Sequence, residues 1–478
     1  MRRARLVSLA AVALAGCSLE PHYVRPEAPV PPSWPVGDAY LRQSEAALPA
    51  IGYRDIFRDP NLQTIIGQAL ANNRDLRVAA ANIAAARAQY RIQRAQLLPE
   101  LDASAGVAVD DRGNGSDNGS NNGSSDGGVT DTYSVGIGFT GYEIDLFGRV
   151  RSLSHAALQR YFATEAAARS TRLALVGDIA SAYLTLAADR SRLAIARETE
   201  ANAQRSVDLT GARLRGGVAP RTELRQAETI LDQARSDSAA LVTAVAQDKN
   251  ALDLLAGTTV DAALLPASLE SVDALLSELP AGLSSDVLLR RPDVVQSEFQ
   301  LRAANAQIGA ARAAFFPRIS LTAIAGLASS ALSSLFSAGA WDWSVLPNAT
   351  VPIFDGGANR GNLALARAQR DAALATYEGV IQTAFREVAD ALARRGTIGT
   401  QFAAQTSLVA AAADSYRLAD ARYREGIDTF LNTLDAQRTL YAAQNSLIAT
   451  RLARAENLVQ IYRTLGGDAL VEAESVRR

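Results

Sequence analysis

Cysteine, lysine, histidine and methionine are almost absent from this 478-residue chain, and each absence excludes something. Cys17 is the only cysteine, so no disulfide framework can form. Two histidines, His22 and His155, supply no Cys/His metal cluster, and methionine occurs only at position 1. No Ser-His-Asp arrangement is present, and the glycines of 113–128 lack the strand–helix context of a phosphate cradle. An enzyme is therefore not expected, and neither is a metal or cofactor. Lys249 is the only lysine, so nearly all positive charge is arginine, and the formal net charge is −2. Without a basic patch interleaved with aromatics, nucleic acid is not an expected partner.

What is present begins at the N-terminus. Arg2, Arg3 and Arg5 precede an apolar run from Leu6 to Ala15, the pattern of a secretory leader (1–16) and too short to span a bilayer. Leu14-Ala15-Gly16-Cys17 resembles a bacterial lipobox, which makes Cys17 the expected acceptor of N-acyl and S-diacylglycerol lipid. Ser18 after the cysteine resembles lipoproteins sorted to the outer membrane. The alternative is an ordinary leader with an incidental cysteine. Residues 17–60, with Pro21, Pro26, Pro29, Pro31, Pro32 and Pro35, read as an extended tether.

Glycine punctuates two similar stretches. At 422–438 a long helical pattern arrives at Arg424, Gly426 interrupts it, and a second pattern leaves from Thr429, a plausible N-cap. Residues 213–229 repeat this tip. Pairing Gly217 with Gly426 gives an offset of 209 residues, which also pairs Arg213 with Arg422, Leu231 with Leu440 and Gly257 with Gly466. Earlier in each copy the offset is 218, pairing Asp75 with Asp293 and Pro99 with Pro317. The chain is a tandem duplication. The first repeat spans 61–257 and the second 284–466, with a linker at 258–283 and a loose tail at 467–478.

Each copy reads as helix, β-hairpin, long helix, tip and helix. Residues 61–98 form the first helical pattern. Alternating Leu101, Ala103, Ala105, Val107 and Val109, then Tyr133, Val135, Ile137 and Phe139, give a hairpin over 101–142. The tract 110–128 between them, nearly all Asp, Asn, Gly and Ser, reads as a solvated loop and lacks calcium-site spacing. It accounts for the roughly nine extra residues of copy one. No proline occurs from Gly148 to Ala219, so the long helix would measure roughly 100 Å. The second copy places strands within 318–353, with Trp341 and Trp343 alternating as aromatic-girdle residues do. Four strands cannot satisfy their own edges in a membrane, so the economical solution is several protomers closing one barrel.

A family resemblance enters at Leu288-Leu289-Arg290-Arg291-Pro292-Asp293-Val294, at 306–321, at Arg422 to Arg438, and at Pro21, Tyr23, Arg25 and Pro26. These closely resemble the outer-membrane factors of tripartite, RND-type efflux pumps, the TolC/OprM-like channels, in particular the NodT-type lipoproteins. The resemblance covers essentially 17–470. It implies a mainly α fold with a small membrane β part. Four strands per protomer would complete a trimeric twelve-stranded barrel, continued by a long periplasmic α-helical barrel. It further implies a passive, gated exit duct in the Gram-negative outer membrane, working with a periplasmic adaptor and an inner-membrane transporter.

By matching motifs, Leu431 would form an apolar constriction, Asp435 an acidic ring, Arg438 a holding contact, and Tyr423 part of the closed-tip contacts. Leu431, Asp435 and Arg438 fall at i, i+4 and i+7, on one helix face. Read from spacing alone, Asp435 and Arg438 are an ordinary solvated pair. Copy one has Thr222, Gln226 and Thr229 there, so charge and bulk sit on one tip only. Gly217-Val218 and Gly426-Ile427 would meet the adaptor, or else are simply turn residues. Two other readings stand beside the drug-efflux duct: a channel for type I-like secretion, and a coiled-coil lipoprotein with no lumen.

Overall fold

The computed structural model describes residues 18–35, 37, 39–40, 52–111, 129–273 and 285–467. The leader, Cys17, most of the 110–128 tract, linker residues 274–284 and the tail from 468 lie outside them, with the expectations attached to each.

Helices α1 (Tyr53–Ile56), α2 (Pro60–Asn72) and α3 (Arg74–Ala95) lead to strands β1 (Asp102–Asp111) and β2 (Val129–Ile144). The first copy ends with α4 (Arg149–Arg215) and α5 (Arg221–Ala256), followed by short α6 (Leu269–Asp273). The second copy runs α7 (Pro292–Ala313), β3 (Arg318–Ser329), β4 (Trp341–Thr350), α8 (Ala358–Arg424) and α9 (Phe430–Thr464). Both α4 and α8 are 67 residues long, and both their ends obey the 209-residue offset. Among the described residues no helix is long and apolar enough to cross a membrane.

The chain divides into two compact units. The first takes residues up to 26, 83–163 and 298–376. Its four strands pair antiparallel in the order β1-β2-β3-β4. Register puts Val107 opposite Tyr133, Ile137 opposite Ala325, and Ala325 opposite Trp343. Since opposed residues share a face, Val107, Val135, Ile137, Leu327, Trp341, Trp343 and Val345 lie on one apolar face. Most of them are exposed. Ser104, Ser134, Thr132, Asp342, Ser344 and Asn348 fall on the other. Across β2 and β3 the backbones approach closely at Gly138 and Gly326, where an added Cβ would lie 2.2 Å from a carbonyl oxygen.

In the same unit the N-terminal segment is strapped to α4 and α7. Arg25 makes a bidentate ion pair with Glu298, Asn305 donates to the Pro21 carbonyl (2.7 Å), and Glu20 meets His155 Nδ1 at 2.9 Å. A Cβ at Gly309 would sit 2.8 Å from Glu20 Cα, so the strap rests directly on the helix.

The second unit takes 27–82, 164–297 and the chain from 377. Its core joins Ile56, Phe57, Leu62, Ile65 and Ile66 to Val176, Ile179, Leu184, Tyr377 and Tyr462. Tyr183 donates from its buried hydroxyl to Asp59 (2.9 Å), the side chain that also caps α2. The tether reading of 17–60 misses α1, because Tyr53, Ile56 and Phe57 are core residues.

The pattern at 61–98 is also two helices. Asn73 is extended, and its Oδ1 accepts from Asp75 N (2.8 Å) and Leu76 N, starting α3 afresh. Its Nδ2 donates to the Leu255 carbonyl (2.9 Å), the end of α5. That satisfies a carbonyl the helix end leaves unpaired. In copy two the matching position is Arg291, whose guanidinium donates to the Thr464 carbonyl (3.2 Å) and to Asp293 and Glu387.

Candidate functional site

Both tips lie in the second unit and are built by the same turn. In copy one Gly217 takes φ 76°, Val218 N donates to the Arg213 carbonyl (3.0 Å), and Gly217 N to Leu214 (3.0 Å). In copy two Gly426 takes φ 74°, Ile427 N donates to the Arg422 carbonyl (2.9 Å), and Gly426 N to Tyr423 (3.0 Å). These are paired six-to-one and five-to-two bonds that close a helix through a left-handed residue, where glycine avoids a Cβ clash. Val218 and Ile427, immediately after each glycine, are 68 % and 62 % exposed. Thr429 stands at the N-cap of α9, but its hydroxyl makes no capping bond.

Tyr423 is buried. Its ring packs on Phe430 (5.3 Å between centroids) and under the Arg213 guanidinium (4.7 Å), and its hydroxyl donates to Glu223 (3.4 Å). Arg213 also donates to the Tyr423 carbonyl (3.2 Å). Ala227, Phe430 and Leu434 close the cluster, with Val207 and Ile230 beside it. Burial first, then the Glu223 charge, push the Tyr423 phenol up to about 12, so it stays a donor at neutral pH. Side chains of α4 and α5 thus grip the end of α8.

The opposite side of α9 is open. Phe430, Thr433, Leu434 and Gln437 are buried, whereas Leu431, Asp435 and Arg438 are exposed along one stripe. Among the described residues no hydrogen bond or ion pair joins the Asp435 and Arg438 side chains. The stripe exposes an apolar group, a carboxylate and a guanidinium. Further along, Tyr441 donates to Asp237 of α5 (3.0 Å), beside a cleft of about 350 Å³ lined by Ile230, Gln233 and Arg438.

Leu431, Asp435 and Arg438 are exposed on α9, whereas Tyr423 is buried against α4 and α5. Sequence reasoning missed Arg213 and Glu223. The repeat offset pairs Arg213 with Arg422, yet Arg422 turns outward to Asp428. Glu223, three residues past Pro220 on the facing tip, was the available signal for a partner to a buried tyrosine.

The sequence profile described as outer membrane efflux protein matches residues 65–258 and 283–467, one segment for each copy. The solvent efflux pump outer membrane protein SrpC of Pseudomonas putida is 45 % identical over 473 residues, 98 % of either chain. OprJ, an outer membrane protein of Pseudomonas aeruginosa, is 43 % identical over 465 residues, covering 96 % of this chain and 94 % of its own. The open state of the Neisseria gonorrhoeae MtrE outer membrane channel superposes with a TM-score of 0.83 at 36 % identity, covering 94 % of this chain and 98 % of that one.

Proposed function

The chain belongs to the outer membrane efflux protein family, and from that premise we propose how it serves as the outer-membrane channel of a tripartite efflux pump. Three protomers each lend β1–β4 to one closed barrel, so that the open edge of β1 meets β4 of the next copy. Closure removes the unpaired edges that a bilayer cannot tolerate. The apolar face with Trp341 and Trp343 is the lipid side of that barrel. The helices line a passive periplasmic duct, and we assign the chain no catalytic role.

At the periplasmic end Leu431 narrows the lumen and Asp435 forms an acidic ring. Three like charges facing a narrow space repel one another and attract cations. Arg438, on the same stripe, makes the holding contact, and Tyr423 keeps the tip closed from behind. The observation that carries this reading is the open stripe Leu431/Asp435/Arg438 back to back with a gripped Tyr423. Gly217-Val218 and Gly426-Ile427 offer exposed tips to helical hairpins of a periplasmic adaptor, which joins the duct to an RND-type inner-membrane transporter. Cys17 carries the lipid anchor, since more than one acyl chain is needed for firm attachment. Small apolar or amphiphilic molecules are the cargo, a reading supported by the solvent efflux role in the name of the SrpC relative.

Planar-bilayer conductance of the purified protein tests the gate. Wild type should give a small, flickering conductance, and Asp435→Ala a clearly larger one. Equal conductance in both would leave a pore without this gate. Silence from both, despite intact trimers, would point to a lipoprotein without a lumen.

A further inference from the structure

The hairpin α4–α5 carries a half-buried acid pair that nothing in the duct mechanism uses. Asp189 stands 26 residues before the end of α4, and Asp248 stands 27 residues after the start of α5, so the antiparallel hairpin sets them opposite each other. The same register is seen nearer the tip, where Arg235 donates to Gln204 (3.0 Å). Asp248 Oδ2 is fully buried and has no hydrogen-bond partner. An ionised carboxylate left in that state is costly. A protonated one facing a carboxylate is not.

The second copy supplies an independent observation. The residue matching Asp248 is Asn457, a neutral isostere of a protonated aspartic acid, and the residue matching Asp189 is Ile398. Asn457 is buried and donates from Nδ2 to the Ala391 carbonyl (2.9 Å) across the α8–α9 pair. Copy two thus has a neutral amide where copy one has a carboxyl, and its acceptor is Ala391 rather than Ile398, the counterpart of Asp189.

We infer that Asp189 and Asp248 share one proton and form a clamp on the α4–α5 hairpin, fastened when the proton is present and loosened when it leaves. The Asp248 hydroxyl donates to the Asp189 carboxylate, and on deprotonation the proton passes to water and two anions face each other. Burial first, then the charge of Asp189, raise the Asp248 carboxyl to about 6 from the ordinary 3.8. On α4, Arg192 opposes this while ion-paired to Asp189 (2.7 Å), and on α5 the neighbouring Lys249 is taken up by Asp253 (2.7 Å). A raised carboxyl stabilises the folded state most below about pH 4, and the contribution is lost as pH rises through about 6. The clamp belongs to the hairpin, whichever residues gate the duct.

Hydrogen exchange on the full-length protein in detergent, corrected for intrinsic base catalysis, tests it. In wild type the protection of amides near 189 and 248 should fall several-fold as pH rises through about 6. Asp248→Asn should stay protected throughout. An undiminished step in Asp248→Asn, or no step in wild type, overturns the clamp. Infrared spectroscopy gives a second reading, a protonated-carboxyl stretch that vanishes through the same pH range. If Asp248→Asn does not assemble, Asp189→Asn should move the infrared step at least about one pH unit lower, by removing the facing charge. A step that stays in place overturns the shared proton.

Discussion

The two copies bury the same helix junction with different chemistry. Asn73 closes copy one with a neutral amide to the Leu255 carbonyl, whereas Arg291 closes copy two with a guanidinium to the Thr464 carbonyl, held by Asp293 and Glu387. The tips diverge in the same way. Both turn through a left-handed glycine, yet Arg213 of copy one grips Tyr423 while its counterpart Arg422 pairs locally with Asp428. Duplication preserved the backbone and released the side chains. One copy became the support and the other carries the exposed stripe.

The sharpest way to break this comparison is at the junctions. Arg291 is nearly buried, and burial disfavours its charge, but hydrogen bonds to Asp293 and Glu387 outweigh that and hold its pKa above the usual value. Removing it strands a carbonyl and two carboxylates. Because the two acids are 40 % and 32 % exposed, the low end of the buried-pair range applies, about 3 kcal/mol for Arg291→Ala. Asn73→Ala removes a helix cap and one bond, for about 1–2 kcal/mol. Denaturant unfolding of the two variants side by side should rank them in that order, and equal losses would erase the distinction.

A smaller effect separates the tips. Arg213→Ala removes a partly desolvated cation–π contact and a hydrogen bond, about 1–2 kcal/mol of grip on Tyr423. In single-channel recordings it should lengthen openings several-fold. Arg422→Ala, which removes an exposed local pair, should leave openings unchanged.

The smallest effect concerns the strap. His155 of α4 receives Glu20, and the matching position on α8 is Ala364. The hydrogen bond to Glu20 raises the imidazole pKa, against the opposing effect of burial. A raised histidine stabilises the docked strap below about pH 6.5 and loses that contribution as pH rises past its folded value. Since the side chain is 43 % exposed, under about 1 kcal/mol is at stake. Exchange protection of residues 18–26 should therefore decline gently at alkaline pH, and His155→Ala should remove the pH dependence.

Much of this was open to reading. The two glycines announced both tips, since helix termination through positive φ is a local demand. The alternation at 132–139 and the tryptophans at 341 and 343 announced the sheet faces, since strand periodicity is local too. The break at Asn73 was missed because an Asn pair inside an Ala-rich pattern is a weak stop signal, and its decisive partner, Leu255, lies 182 residues away. The Arg213–Tyr423 contact spans 210 residues and was hidden for the same reason. Offset pairing was misleading at this one place, because equivalent positions on two tips face different neighbours.

By itself the sequence determined the duplication, the long helices and hairpins of each copy, the two turns, the strand faces and the spacing of 431, 435 and 438. Each follows from periodicity or backbone conformation within a few residues. Only the tertiary structure decided which side chain of each equivalent pair turns inward, that Tyr423 is gripped from behind, and that Asp248 faces Asp189 where Asn457 faces a carbonyl. Those outcomes depend on burial and on charges brought together from distant segments, and no local pattern encodes the cost of an unpartnered polar atom.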